Sequence, residues 1–237
     1  MAKHGKRLTD LRKKVDPQHL YQPTEALDFI KEISTAKFDE TIECHIRTGV
    51  DPRHADQMVR GSIVLPAGTG KRVRVLAFAQ GDKAHEAEEA GADIVGYEDL
   101  IQRIQGGWME FDVAVATPDV MAAVGRLGRV LGPRGLLPNP RTGTVSPDIG
   151  RLIREVRAGR VEFRVDRTAV IHVPIGKASF EPDRLRENLT ALLDAVVRAK
   201  PQAARGQYIH SIALAPSMGP ALMLEVQPAL ALTSGAA

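Results

Sequence analysis

Apolar residues recur along this chain in distinct rhythms, and each rhythm points to a different element. Over 23–34 the spacing of Ala26, Leu27, Ile30 and Ile33 is helical and predicts a first helix, with Thr24 placed as its N-cap. Over 41–50, TIECHIRTGV, the pattern becomes alternation, with Ile42, Cys44 and Ile46 on one side and Thr41, Glu43, His45 and Arg47 on the other. This predicts a half-buried strand with a decorated polar face. A second strand is expected over 61–66, after which Pro66-Ala67-Gly68-Thr69-Gly70 interrupts the pattern as a linker would.

From Arg72 the rhythm alternates between strand and helix. Strand 73–79, helix 83–90, a short strand at Ile94 and Val95, helix 97–104, strand 112–116 and helix 149–157 follow one another. Such alternation implies a parallel sheet covered by helices, a small doubly wound domain. At Ala158-Gly159 the style changes again: strands over 161–165 and 170–173 read as a pair around Asp166-Arg167-Thr168, followed by a long amphipathic helix, 182–200, and a strand, 208–215. These last elements match the first segment in style. The expected fold class is therefore mixed α/β and α+β in two domains, with a discontinuous α+β domain (1–67 and 160–237) and a parallel-sheet domain (68–159) inserted into it. Gly68, Gly70 and Gly159 fall near the two crossing points and are expected to form a hinge.

One stretch fits neither rhythm. Over 124–144, VGRLGRVLGPRGLLPNPRTGT, five glycines and three prolines suggest neither helix nor strand but a shaped loop. Arg126, Arg129, Arg134 and Arg141 punctuate it, and no Asp or Glu occurs between Asp119 and Asp148. Its charge calls for an anionic partner, nucleic acid first, with a merely solvated basic loop as the alternative.

Bulk composition narrows the class. With 237 residues, 43% of them hydrophobic, the chain can bury a core, and its net charge of +3 is unevenly spread. Lys3, Lys6, Arg7, Arg12, Lys13 and Lys14 make the N-terminus basic, but no apolar run follows them, so neither a signal peptide nor a membrane span is expected. The single cysteine, Cys44, allows no intrachain disulfide, fits a reducing compartment, and shares a strand face with Ile42 and Ile46, which marks it as a buried hydrophobe rather than a nucleophile. Gly68-Thr69-Gly70-Lys71 lacks the spacing, the following Ser or Thr and the preceding strand of a phosphate loop, and the seven histidines show no metal-ligand spacing. No catalytic, metal or cofactor site is expected. A Rossmann-type enzyme acting on a phosphorylated metabolite stays open only because the middle region alternates.

A resemblance covers nearly the whole chain. LGPRGLLPNP (131–140), ATPDVM (116–121), GWMEFDV (107–113), AKFDETIE (36–43), DQMVRG (56–61), GKASF (176–180) and SMGP (217–220) occur in the order in which they stand in the bacterial large-subunit ribosomal protein L-one family. The chain resembles that family, which forms the lateral stalk at the tRNA exit side. The resemblance implies a split first domain with an inserted Rossmann-like second domain, direct binding to large-subunit rRNA, a part in the release of deacylated tRNA from the exit site, and repression of its own operon through an mRNA leader that mimics the rRNA site. Cytoplasmic ribosomes, with their other components as neighbours, are the implied setting.

The family's RNA-binding positions fall here on Lys37, Phe38, Thr41, Glu43, Arg164, Asp166, Lys177, Ser179, Ser211, Ser217, Met218 and Gly219. Lys37, Arg164 and Lys177 would neutralise phosphates, Thr41 and Glu43 would meet ribose hydroxyls and base edges, and Phe38, Met218 and Gly219 would offer a flat apolar surface. With 4% aromatic residues, recognition of folded RNA by shape is expected over stacking of many bases. Arg126, Arg129, Arg134 and Arg141 would make secondary contacts with rRNA or exit-site tRNA. The chain departs from the family pattern at Met58, Ala67, Val165 and Ala215-Pro216-Ser217, where Asn, His, Asn and a threonine run are usual.

Overall fold

The computed structural model describes residues 5–140 and 142–234, so Lys3 of the basic N-terminus and Arg141 of the basic loop lie outside the described residues. In chain order the elements are α1 (Lys6–Lys14), α2 (Pro23–Ile33), β1 (Thr41–Thr48), β2 (Arg60–Val64), β3 (Val75–Phe78), α3 (Asp82–Glu89), β4 (Ile94–Gly96), α4 (Glu98–Gln105) and β5 (Val113–Ala116). There follow α5 (Met121–Val124), α6 (Gly128–Leu131), α7 (Ile149–Arg157), β6 (Arg160–Arg164), β7 (Val170–Lys177), α8 (Pro182–Arg198), β8 (Ile209–Pro216), β9 (Leu222–Leu224) and α9 (Val226–Ser234). The chain divides into two compact units, one built from Met1–Gly70 with Val161–Ala237 and the other from Lys71–Arg160.

The split unit is organised around β1. Its four-stranded sheet runs β7-β1-β8-β9, with β1 antiparallel to both neighbours, so a strand from the first chain segment lies between two from the last. Ile42, Cys44 and Ile46 are fully buried and pack with Ala26, Leu27 and Ile30 of α2 and Leu185, Leu189, Leu192 and Leu193 of α8. The opposite face carries Thr41, Glu43, His45 and Arg47, as alternation requires. Asn188, fully buried on α8, accepts from Ala67 N–H at 2.9 Å and donates to Gly68 O at 2.9 Å and Ile175 O at 2.7 Å, which fastens the end of the first segment to the helix.

Two local expectations are corrected here. Helix α2 begins at Pro23 with Gln22 as its cap residue, and Thr24 sits inside the first turn. Pro23 supplies a helical φ and has no N–H to satisfy, so the start moves two residues upstream. The strands around Asp166-Arg167-Thr168 also do not form a paired ladder: β6 joins β2 in a separate two-stranded sheet, β7 joins β1, and an isolated Val165–Ile171 bridge with the Asp166 N–H to Val170 O hydrogen bond at 2.9 Å links them. Asp166 makes the divergence by folding the connection tightly. Its carboxylate accepts from Thr168 N–H at 2.7 Å and Val170 N–H at 2.9 Å, while Ala169 is forced to a φ of 63°.

In the inserted unit the sheet order is β4-β3-β5, all parallel. Leu76 and Phe78 face one core with Leu100, Ile104, Val124, Leu127 and Leu131, whereas Val75 and Ala77 face the other with Ala87, Ile149, Ile153 and Val156. Both faces are covered, which is why β3 reads as an unbroken apolar run. Asp148 caps α7 by accepting from Arg151 N–H at 2.9 Å.

The segment expected to be neither helix nor strand is helical at its beginning. After α5 come a 3₁₀ turn, Gly125–Leu127, and α6, with Gly125 and Gly128 at φ −56° and −54°. Val124, Leu127 and Leu131 are fully buried at helical spacing. Burying three such side chains contributes about 1.5–3 kcal/mol each, which outweighs roughly 1 kcal/mol per helical glycine. Past Leu131 the shaped loop is real: Gly135 and Gly143 take φ of 70° and 71°, and Asn139 N–H donates to Thr144 Oγ1 at 2.8 Å.

Candidate nucleic-acid interface

One rim of the four-stranded sheet gathers most of the positions expected to contact RNA. Thr41 at the start of β1 is paired with Lys177 at the end of β7, and the turn after β8 brings Ser217, Met218 and Gly219 beside them. Lys177 Nζ donates to Thr41 Oγ1 at 2.8 Å and to Asp39 O at 3.4 Å. Ser179 donates to the Asp39 carboxylate through its N–H at 3.0 Å and its hydroxyl at 2.8 Å. The Ser217 hydroxyl accepts from Thr41 N–H at 3.0 Å and donates to Thr41 O at 3.2 Å, so it extends the β1 ladder into the turn.

The rim is fastened by a residue that sequence reading passed over. Glu40 is only 1% exposed, and its carboxylate accepts from Ala36 N–H at 2.9 Å and Met218 N–H at 2.8 Å. One buried carboxylate therefore ties the loop carrying Lys37 and Phe38 to the turn carrying Met218. Phe38 and Met218 are themselves 56% and 53% exposed, two of the five large exposed apolar side chains among the described residues. Core packing is excluded for both. Arg7 of α1 adds a second tie, donating to Met218 O at 2.7 Å and Thr35 Oγ1 at 3.1 Å. Gly219 is required where it stands, because a Cβ there would press on the ring of Pro216.

Other expected positions lie further away. Glu43 is two residues along β1 on the same outward face. Ser211 is paired with Arg47, six residues from Thr41 and so roughly 20 Å along the strand. Asp166 lies in the turn leading into β7, near that far end, and its carboxylate is held below the usual range first by Val170 N–H and then by Thr168. Arg164 is exposed on β6, in the other sheet. Between Glu43 and Asp166 the face carries two histidines in direct cross-strand register, His45 and His172, with their Nδ1 atoms 2.7 Å apart. Sequence reading noted His45 on this face but could not pair it with His172.

The departures from the family pattern have a local basis in two places. Val165 is buried, and its N–H donates to Val59 O at 3.0 Å, so its side chain faces the core. Met58 packs against the same core. Cys44 is fully buried and burial pushes its thiol up to about 12, which leaves it without nucleophilic character.

In the inserted unit Arg126, Arg129 and Arg134 are exposed and make no ion pair with a described residue. Among the described residues no group of three or more His, Cys, Asp or Glu is placed to hold a metal, and no helix is long and apolar enough to cross a membrane.

A split antiparallel sheet unit carrying a basic, apolar-tipped rim, and a doubly wound unit inserted into it, define a two-unit protein of mixed α/β and α+β class. Residues 30–220 match the family described as Ribosomal protein L1p/L10e, and the chain belongs to that family. It is a structural, non-enzymatic family of the large ribosomal subunit in the cytoplasm, and its members bind rRNA. The enzyme reading of the alternating middle region is overturned by this membership.

Proposed function

We propose that the sheet rim formed by Lys37, Phe38, Thr41, Lys177, Ser179, Ser217, Met218 and Gly219, continued along the face by Glu43 and at its far end by Ser211 and Asp166, is the surface that binds large-subunit rRNA. Arg164 adds a flanking phosphate contact. The observation that carries this reading is the pair of exposed apolar tips, Phe38 and Met218, held by the buried Glu40 beside the cations of Lys37 and Lys177. Apolar tips on a backbone held by Glu40 can lie against a base or ribose, and the lysines neutralise phosphates, so the rim reads RNA shape.

On this reading the chain forms the mobile lateral stalk, with Gly68, Gly70 and Gly159 at the chain crossings as its hinge. The three have φ of 71°, 73° and 105°, a region open to glycine. The stalk assists release of deacylated tRNA from the exit site, where Arg126, Arg129, Arg134 and Arg141 make secondary contacts. The same rim binds the leader of the chain's own operon mRNA and represses its translation.

The test is binding to a stalk fragment of large-subunit rRNA across a salt series, with an unrelated structured RNA of equal length as control. Tight binding to the stalk fragment, with log K falling roughly 0.7 to 0.9 per log salt for each phosphate contact, and a loss of tenfold or more in Phe38→Ala and Lys177→Ala, support the rim. Replacing Arg129 and Arg134 leaves affinity for this fragment within tenfold, about 1.4 kcal/mol. Equal weak binding to both RNAs, or a larger loss from the arginines than from the rim, overturns the assignment.

A further inference from the structure

The two histidines on the sheet face form the centre of a line of four titratable groups. His45 Nε2 lies 4.0 Å from Glu43 Oε2, the two Nδ1 atoms are 2.7 Å apart, and His172 Nε2 lies 3.6 Å from Asp166 Oδ2. Three gaps separate the four groups, and each is favourable only with a proton in it. Two neutral imidazoles carry one N–H each and can fill two gaps. If His172 turns its Nε2–H to Asp166 and His45 turns its Nδ1–H to His172, the lone pair on His45 Nε2 is left facing the Glu43 carboxylate. One further proton, on His45 Nε2, completes the line and gives the pair a single positive charge between two carboxylates.

We propose that RNA binding on this face is coupled to the uptake of one proton by the His45–His172 pair. The inference rests on the reading of this sheet as the rRNA-binding surface. In the free protein burial, then the like charge of His172, holds His45 below the ordinary imidazole value of 6.5, against the pull of Glu43. The proton is therefore absent at neutral pH. The charged groups on the neighbouring elements are Glu43 and Arg47 of β1 and Asp166 and Arg167 of the turn before β7, while on β8 Ala213 is in register with His45 and its outward neighbours Ser211 and Ala215 lie opposite Arg47 and Glu43. Without the proton, Glu43 and Asp166 repel a phosphate backbone. With it, Glu43 is drawn into an ion pair and the face turns attractive. A polyanion on the face raises the affinity of His45 for the proton, and by reciprocity the proton raises affinity for RNA.

The sign follows directly. Affinity rises as pH falls from about 8, by at most tenfold per unit for one proton, and levels off once His45 of the free protein is itself protonated, at a pH under the ordinary imidazole value of 6.5. The experiment measures binding of the full chain to a labelled rRNA stalk fragment at constant ionic strength from pH 8.0 to 6.0. The expected result is a three- to tenfold gain for the native chain, a flat profile for His45→Gln, and an unchanged slope for His54→Gln, an exposed histidine elsewhere. In the native chain the Cε1–H resonance of His45 titrates at higher pH when RNA is present. A flat native profile, or a His45→Gln variant that keeps the slope, overturns the coupling. A Lys177→Ala variant that binds like the native chain overturns the interface reading beneath it instead.

Discussion

Replacing Glu40 by Gln removes one formal charge and no heavy atom, yet it should loosen the whole rim. The carboxylate is 1% exposed and accepts from two backbone N–H groups, Ala36 at 2.9 Å and Met218 at 2.8 Å. A glutamine amide can satisfy either one with its oxygen, but its NH2 must then face the other donor. The loss is one hydrogen bond to a charged acceptor plus a buried N–H without a partner, about 1.5 to 3 kcal/mol. For a chain of this size that lowers the melting temperature of the split unit by about 4 to 8 °C. Calorimetry reads the temperature, and amide hydrogen exchange reads the site: protection falls at Ala36 or Met218 while the amides paired across β1 and β8 keep theirs. A variant melting within 1 °C of the native chain, with both amides still protected, would refute the clamp.

Three further outcomes follow from the geometry. Asn188→Ala strips three hydrogen bonds from a fully buried position and should cost about 2 to 4 kcal/mol in denaturant unfolding, more than alanine at exposed α8 positions such as Arg184. Asp112, lowered to about 2 first by the Lys71 side chain and then by the N–H of Arg74, contributes stability present above about pH 4 that is lost as pH falls toward 2; Asp112→Asn should flatten the acid limb of the inserted unit's stability in that window. Cys44 should give no reaction with a thiol reagent in the native chain at pH 8 and one equivalent in denaturant; fast native labelling would mean that β1 opens readily.

What could be read from the sequence was whatever local periodicity encodes. The run Val75–Phe78 is buried on both faces and its helices repeat at helical spacing, so the doubly wound unit was readable in outline. Alternation along β1 placed Thr41 and Glu43 on the outer face before any partner strand was known. Pairing was not readable, because β1 meets β8 across more than 160 residues and nothing local marks that choice. The helix α1, with Leu11 as its one buried residue, and the short β9 carry too little pattern to be found. Glu40 is in phase with Ile42 and Cys44, which points it inward, but a charged residue in that phase argues against burial until its two N–H partners are seen. The expected interface positions rest on the family resemblance, and the fold brings many of them to one rim.

The order β7-β1-β8-β9 also dictates a timetable during synthesis. Strand β1 leaves the ribosome early, but both strands that flank it belong to the last third of the chain. At 5 to 20 residues per second, roughly 10 to 30 s pass before β8 emerges. During that interval the inserted unit completes its own elements and can fold, while β1 waits first for β7 and α8 and then for β8, with only α2 available to cover Ile42, Cys44 and Ile46 until α8 arrives. The nascent chain is thus a finished middle with an unfinished frame, and β1 in that state is a target for chaperones and a hazard for edge-to-edge association.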